Sequence, residues 1–314
     1  MANILDKLFG FKEHHFDFIG KKKIFYIIAL LVIIPGICVM IFSGLNLGID
    51  FTGGSIVEIT YTEDVDIADV RAVVSDMVVQ TPTINESDDN SFVIRTEDLG
   101  DEQTKAMVSA LEELGPIDSE LTETNRIGPT IGSELLSNAR WAIIIAAALM
   151  LLYITIRFKF NYALTAILAL AHDVLVMLSF FAIFRIEVGN SFVAAILTIV
   201  GYSINNTIII FDRIRENTGY NSKQEFSLLV NQSINQTISR TVNTVLAVLF
   251  LLLALLIFGG DTTKNFVLAL TVGMVAGFYS SVFLVGNMLN DITKKFGVKS
   301  GIARSAKSVT AKSR

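Results

Sequence analysis

The sequence contains a single cysteine and none of the common nucleotide or hydrolase motifs. Cys38 lies inside a long apolar run, so an intramolecular disulfide and a cysteine-based metal site are excluded. The sequence also lacks a G-x-x-x-x-G-K-[ST] loop, an H-E-x-x-H motif and a G-x-S-x-G motif. The protein therefore has no recognisable nucleotide site, and any work it does must draw on an ion gradient or a partner. We expect no catalytic residue, no metal and no cofactor.

Long apolar runs are abundant in this chain. Hydrophobic residues make up 52% of it, with 22 phenylalanines, which is outside the range of an ordinary soluble domain. Six runs are long enough, or nearly so, to cross a hydrocarbon core of about 30 Å as helices. They are Ile24–Phe42, Trp141–Ile156, Tyr162–Phe184, Val188–Phe211, Thr241–Phe258 and Phe266–Leu289. The sequence predicts a polytopic α-helical membrane protein with six transmembrane helices.

The charged residues are sorted by segment. Residues 44–139 hold 20 Asp or Glu against four basic residues, whereas the tail after Leu289 holds seven basic residues and one acid. Because short basic segments stay in the cytoplasm, we predict cytoplasmic N- and C-termini and an external segment between the first two helices. The predicted parts are a cytoplasmic N-terminus (1–23), a first transmembrane helix (24–43), an external domain (44–139), a five-helix transmembrane region (140–290) and a basic cytoplasmic tail (291–314).

The external segment has the pattern of a small α+β domain. Residues 55–61 alternate as a strand does, and Asp66 is predicted to cap a helix over 67–79. Short strands near 83–84 and at 92–95 flank a polar turn at 87–90, a second helix covers about 101–114, and a last strand covers 117–125. The order βαββαβ predicts a ferredoxin-like fold.

Asp173 is the main candidate for function inside the membrane. It lies about 12 residues into the third run, near the bilayer midplane at about 1.5 Å per residue. A carboxylate at this depth usually faces the bundle, where it marks an ion or proton path or joins helices through a hydrogen bond. Both interpretations of Asp173 stay open. His172 points roughly 100° away around the helix and is predicted to be a packing or bonding partner.

The fourth and fifth runs carry further polar residues. The adjacent amides Asn205 and Asn206 are both expected to face other spans, because an amide in an apolar helix needs a partner. Arg240 opens the fifth run, and Asn243 follows on the same helical face. In the sixth run, Gly273 and Gly277 form a G-x-x-x-G pattern, which indicates close helix packing.

Three segments resemble the SecD/SecF family of protein-export membrane proteins, and the likeness extends from Phe16 to about Asn290. The segment Leu45–Gly54 contains Gly48, Asp50, Gly53 and Gly54. The second segment is Ala171-His172-Asp173-Val174. The third, Ile199–Thr207 with Gly201, is followed by Phe211–Glu216 with Asp212 and Arg213, and it is similar to the SecF branch in particular. At the inner membrane edge, Asp212 and Arg213 fit a solvated cluster as well as a functional one.

The resemblance implies a partner, a machinery and an ion path. The implied partner is SecD. The implied machinery comprises the SecYEG channel, the SecA motor and a translocating preprotein. It works in the lipid of the bacterial cytoplasmic membrane and binds no nucleic acid. The energy source is a proton or sodium gradient. SecF proteins commonly have Asp where this chain has Asn206, and that Asp is regarded as part of the ion path with the basic residue matching Arg240. Since Asn206 does not titrate, Asp173 is the carboxylate that this bundle offers. The Arg240 guanidinium is expected to donate a hydrogen bond to Asn206.

Two other classes of protein share some of these sequence features. A half-transporter exporting small molecules or lipids would share the architecture, but it usually has much larger external domains. An intramembrane aspartyl protease is suggested by Asp173 and Asp212, because paired carboxylates can share a proton. The position of Asp212 at the membrane edge and the absence of a G-x-G-D motif argue against a protease.

Overall fold

The computed structural model describes residues 16–295, except for 80, 88–89, 119–121 and 221–223. The lysines before residue 16, two positions of the predicted 87–90 turn, part of the predicted last strand and most of the basic tail lie outside the described residues. In chain order the elements are α1 (Lys22–Ser43), α2 (Ile49–Thr52), β1 (Gly54–Thr60), α3 (Ile67–Met77), β2 (Thr83–Ser87), β3 (Ser91–Thr96), α4 (Gly100–Glu112), β4 (Glu123–Ile127), α5 (Pro129–Arg157), α6 (Phe160–Ile183), α7 (Asn190–Tyr220), α8 (Phe226–Phe258), α9 (Asp261–Tyr279), a π-helix (Ser280–Val285) and α10 (Gly286–Lys295).

Six helical spans are long and apolar enough to cross a membrane, as predicted. They are α1, α5, α6, α7, α8 and the continuous sixth span formed by α9, the π-helix and α10. Several helices extend well beyond their apolar runs. Helix α5 begins at Pro129 rather than near Trp141, and α8 begins at Phe226 rather than near Thr241. An apolar run marks only the part of a helix that matches hydrocarbon. Polar residues continue the same helix beyond it, and Pro129 fits the first helical turn.

The α/β domain between α1 and α5 is built on a four-stranded sheet. The strand order is β2-β3-β1-β4, and every neighbouring pair is antiparallel. The predicted order of elements agrees with the structure, and the Asp66 carboxylate caps α3 by accepting a hydrogen bond from the Ala68 N–H at 2.8 Å. The assignment of this domain to the ferredoxin-like class stays a prediction.

One face of the sheet packs against α3 and α4. The side chains that fill this core are fully buried: Val57, Ile59, Val70, Val74, Phe92, Ile94, Met107 and Leu111. At the edge of this core the Tyr61 hydroxyl donates to the Leu111 carbonyl at 2.9 Å, and burial raises the pKa of Tyr61 to about 12. The alternation of buried residues in β1 and β3 leaves the other face of the sheet free to meet the membrane bundle.

The predicted last strand is wrong in its position. It was expected over 117–125, but β4 covers Glu123–Ile127, and Ile117 makes only an isolated bridge with Tyr61. The residues of β4 lie at the sheet edge and are mostly exposed, so they show no alternation of apolar and polar residues. The pairing of Gly54 with Ile127 fixes the register instead.

The membrane bundle has a packed core and a looser periphery. Helices α6 and α7 and the sixth span contribute most of the buried side chains, whereas α5 and α8 expose much of their surface. Helix α1 packs against α6 at Gly36, where a Cβ would lie only 2.1 Å from the Ser179 Cβ. The Ser179 hydroxyl also donates to the Ile33 carbonyl at 3.4 Å. The core of the bundle therefore lies between α6, α7 and the sixth span, and α1 packs against α6.

Candidate functional site

Asp173 lies in the middle of α6 with both carboxylate oxygens hydrogen-bonded. Its side chain is 1% exposed. The Ser203 hydroxyl of α7 donates to Asp173 Oδ2 at 2.5 Å, and Nδ1 of His172 lies 3.0 Å from Oδ1. His172 is thus the predicted bonding partner, and its ring also stacks on that of Tyr279 at 5.9 Å. The hydrogen bond to Ser203 joins the third and fourth spans near mid-membrane.

The sixth span approaches Asp173 closely because of two glycines. A Cβ at Gly277 would lie 3.1 Å from the Ser203 Cβ and 3.7 Å from Asp173 Oδ2, and one at Gly273 would lie 2.6 Å from Cγ1 of Ile199. The close packing predicted from the G-x-x-x-G pattern is therefore present. Three residues after Gly277 the α-helix becomes a π-helix, a local widening that is frequent at functional sites.

Asn206 is fully buried on the same helix as Ser203, roughly 4.5 Å further along its axis. Its amide nitrogen and amide oxygen make no hydrogen bond of normal geometry within the described part of the chain, and the hydroxyl of Tyr202 lies close enough for only a weak polar interaction with this amide. The predicted hydrogen bond from Arg240 is therefore wrong. Arg240 lies on the exposed face of α8 instead.

Asn205 and Asn243 are also exposed in this chain. The prediction that both adjacent amides face other spans agrees with the burial of Asn206 within the chain. Asn205 points outward, so for this residue it stays a prediction that concerns a span of another subunit. Successive residues on a helix point about 100° apart, so one amide enters the core and the other leaves it. Asn205 shares its exposed face with Gly201 and Thr198, and Asn243 shares its face with Arg240.

Asp212 and Arg213 form a polar cluster at the end of the fourth span. Arg215 binds Asp212 at 2.8 Å, Arg213 binds Glu216 at 2.7 Å, and the Asp212 side chain is 42% exposed. The carboxylates of Asp212 and Asp173 do not form a pair, since each has its own partners. This arrangement gives no support to an aspartyl protease.

The signature residues Gly48 and Asp50 bind the turn between α6 and α7. The Gly48 N–H donates to the Val188 carbonyl at 3.0 Å, and the Asp50 carboxylate accepts from the Asn190 N–H, at the start of α7, at 2.7 Å. A Cβ at Gly189 would lie 2.6 Å from the same Asp50 oxygen, so a larger residue there would displace the carboxylate from the Asn190 N–H. The signature thus attaches the start of the α/β domain to the third and fourth spans.

Gly53 and Gly54 turn the chain from this attachment into β1. Both have positive φ angles, 78° and 156°, which favour glycine. A Cβ at Gly54 would lie 2.4 Å from the Thr96 carbonyl oxygen. Their predicted role in turn geometry rather than phosphate binding agrees with these positions.

Sequence reasoning missed Ser203 as the partner of Asp173 and Glu187 as a residue of the domain junction. Ser203 was visible as a polar residue one helical turn before Asn206. No sequence signal placed it opposite Asp173 on another helix. Within the described residues there is no group of three or more His, Cys, Asp or Glu side chains arranged to hold a metal ion.

These features define a class of protein. A six-span bundle with a bonded carboxylate at its centre, and an α/β domain fixed to the helices that carry it, is typical of membrane proteins of transport or translocation. Among solved structures, SecDF from Thermus thermophilus, titled a translocon-associated membrane protein, matches 89% of this chain with a TM-score of 0.79 and 33% identity. A SecDF structure in a super-membrane-facing form matches 94% of it with a TM-score of 0.69 and 32% identity. This chain spans 39% and 40% of those two longer chains.

Sequence comparison identifies the family. The family described as protein export membrane protein SecD/SecF, C-terminal, matches residues 106–295, and the SecD/SecF GG motif matches residues 39–65. Protein translocase subunit SecF of Sebaldella termitidis is 40% identical over 85% of this chain and 89% of its own length. The SecF subunit of Acidaminococcus fermentans is 42% identical over 89% of this chain and 98% of its own length. The chain belongs to the SecD/SecF family of protein-export membrane proteins.

Proposed function

We propose that this chain acts as the SecF subunit of the Sec protein-export machinery. The observation that carries the proposal is the likeness over most of the chain to relatives named as SecF translocase subunits, together with the SecDF fold match at a TM-score of 0.79. The relatives' names describe a transport role. The alternative of a half-transporter for small molecules or lipids is not favoured, because relatives that match most of the chain are named as translocase subunits.

A SecD subunit is the proposed direct partner. The exposed polar residues of the fourth span support this partnership, because Asn205 lies two residues from Ser203, at the depth of Asp173. A polar side chain at this depth is costly in lipid and is usually satisfied by a neighbouring helix. Small and polar exposed residues next to it, Thr198 and Gly201, allow a second helix to approach closely. The SecYEG channel, SecA and a preprotein are the proposed wider partners.

Asp173 is the proposed ion-path carboxylate of this subunit. It is the carboxylate that the described bundle holds fully buried, and it contacts His172 and Ser203 rather than an arginine or lysine. A carboxylate buried against an imidazole and a hydroxyl is suited to an ion path, because a proton or a cation bound there neutralises its charge. Asn206 lies beside this site without a titratable group. Arg240 is then available to a carboxylate of SecD.

The proposed location is the bacterial cytoplasmic membrane, with both termini in the cytoplasm and the α/β domain outside. The acidic domain and the basic termini support this orientation. We expect an epitope tag inserted near Asp88 to be accessible only from outside and a tag after Lys307 only from inside. Protease protection of each tag in intact cells and inverted vesicles measures this. Both tags on one face would contradict the orientation.

The experiment that tests the function is reconstituted export. The chain and its SecD are placed in vesicles with SecYEG and SecA, and the translocated fraction of a preprotein is measured with and without an ion gradient. We expect a gradient-dependent increase that requires this chain. Equal export in vesicles that lack it would contradict the SecF assignment.

A further inference from the structure

The α/β domain meets the membrane bundle across a polar cleft of about 620 Å³. The sheet face that carries no helices forms one wall, and the turn between α6 and α7 forms the other. Arg95 of β3 reaches across this cleft to Glu187 in the turn, with the Nε and Oε1 atoms 3.8 Å apart. Both side chains are 23% exposed. The pair is therefore shielded from solvent more than a surface ion pair is.

Arg95 and Glu187 are each held in position by contacts on their own side of the cleft. Arg95 lies in a strand paired on both sides, with Ile56 of β1 and with Thr83 of β2, so its backbone moves only with the sheet. Glu187 lies against Gly48, where a Cβ would meet Glu187 Oε1 at 2.5 Å. The Val188 N–H, next in the chain, donates to the Asn46 carbonyl at 2.8 Å. The ion pair thus joins two rigid parts rather than two mobile side chains.

The turn that carries Glu187 connects the two helices that hold the candidate ion site. Asp173 lies on α6 roughly 15 Å before the turn begins, and Ser203 lies on α7 roughly 20 Å after it, at about 1.5 Å per residue. The hydrogen bond between Asp173 and Ser203 joins the two helices about midway along this hairpin. A change in that bond alters how α6 and α7 sit against each other. The turn at their shared end contacts the α/β domain, so it is a point at which the domain can receive the change.

We propose that Glu187 and Arg95 are positioning residues that transmit rearrangement at Asp173 to the α/β domain. This inference rests on the proposed function, since it assigns a route for the work that the ion gradient drives. Asp50 anchors the chain entering the sheet to the start of α7, and the Arg95–Glu187 pair sets the orientation of the sheet above the turn. The two contacts together couple movement of the sheet to movement of the α6–α7 hairpin.

The test compares charge-neutral and charge-reversed variants in the reconstituted export assay. Arg95→Gln and Glu187→Gln are each expected to lower the gradient-dependent increase about twofold or more, the range seen for residues on a coupling route. Export without the gradient is expected to stay at the wild-type level. The double variant Arg95→Glu with Glu187→Arg is expected to recover part of the loss, because the pair is restored with its charges exchanged.

A matched control is available in the same domain. Arg126 pairs with Asp98 and Asp101 inside the α/β domain and does not take part in the Arg95–Glu187 contact. Arg126→Gln removes the same charge from the same sheet, and we expect it to leave the gradient-dependent increase unchanged. If Arg126→Gln and Arg95→Gln lower it equally, the effect belongs to the domain's charge or stability and the inference is wrong.

Chemical cross-linking tests transmission directly. In a Cys38→Ser background, Arg95→Cys combined with Glu187→Cys removes the ion pair, and a short bis-maleimide then joins the two positions. We expect export to lose its gradient-dependent increase before cross-linking and to regain it afterwards, because a covalent link also makes the sheet follow the turn. A link that forms without restoring the increase would overturn the inference. Export by the unmodified chain tests the proposed function alone. Failure of the proposed function can therefore be distinguished from failure of this inference.

Discussion

The spans of this protein fall into two sets of three that differ in how they are buried. In α6, α7 and the sixth span, 50%, 50% and 56% of the most apolar stretch is buried within the chain, against 22%, 6% and 17% in α1, α5 and α8. The well-buried set carries Asp173, Ser203, Asn206 and the glycines that allow close packing. The poorly buried set consists largely of apolar surface suited to lipid or to another subunit.

The comparison shows that polar residues serve different purposes in the two sets. In the buried set, the Asp173 carboxylate is bonded by its own chain, so its role is internal. On the exposed faces, Arg240 and Asn243 of α8 lie where the described part of the chain leaves them uncovered. Asn205 belongs to both descriptions, because its helix is buried while its side chain points outward. The division therefore separates the proposed ion-path carboxylate from the residues that we propose contact another subunit.

The largest expected effect follows from removing the internal charge. We predict that Asp173→Asn strongly impairs gradient-dependent export, because the amide binds neither a proton nor a cation as the carboxylate does. The matched control is Asp212→Asn, which removes an exposed carboxylate held by Arg215, and we expect a small effect. The measurement is reconstituted export with and without the gradient. Unchanged gradient dependence in Asp173→Asn would assign Asp173 to helix packing.

The next effect concerns the exposed face of the fourth span. We predict that Asn205→Leu weakens association with SecD by about 1–2 kcal/mol, the strength of a polar contact between membrane helices. Co-purification of SecD across a detergent series measures the loss. Thr155→Leu is the control, because Thr155 is exposed on α5 and its hydroxyl already bonds the Leu151 carbonyl of its own helix. Equal retention of SecD by both variants would remove Asn205 from the interface.

Periodicity and charge were enough to predict the span number and the element order of the α/β domain, because each depends on local pattern. The partners of Asp173 were only half predictable. His172 is its neighbour in sequence, whereas Ser203 lies 30 residues away and meets it through packing at Gly277. Which of two adjacent amides enters the core depends on the rotation of α7. Nothing local in the sequence fixes that rotation, so the sequence did not distinguish the outward-facing Asn205 from the buried Asn206.

Asn206 is a second polar residue of the well-buried set of spans. Its amide is fully buried and makes no hydrogen bond of normal geometry among the described residues, which costs about 1–3 kcal/mol in desolvation. We predict that Asn206→Leu, similar in size, raises the thermal unfolding temperature of the purified protein. Asn206→Asp is expected to be tolerated and to change the pH or ion dependence of export. A lower unfolding temperature in Asn206→Leu would show that the amide has a bonding partner after all.

The smallest expected effect lies in the α/β domain, which should fold without either set of spans. A fragment of residues 54–128 contains the whole sheet and both long helices, and we expect it to be soluble with mixed α/β circular dichroism. The Arg126 guanidinium beside Asp98 holds the pKa of that carboxyl below its ordinary value of about 3.9.

A lowered pKa in the folded state adds stability above the ordinary pKa, and this contribution is lost as the pH falls through the folded-state value. The Arg126 side chain is 46% exposed, so solvent screens the pair and the contribution is small. We therefore predict that the fragment is slightly more stable than its Arg126→Gln variant at pH 7 and that the difference disappears as the pH falls through the lowered folded-state pKa of Asp98. Urea unfolding at a series of pH values measures it. A difference that grows as the pH falls would contradict the assignment of the ion pair to Asp98.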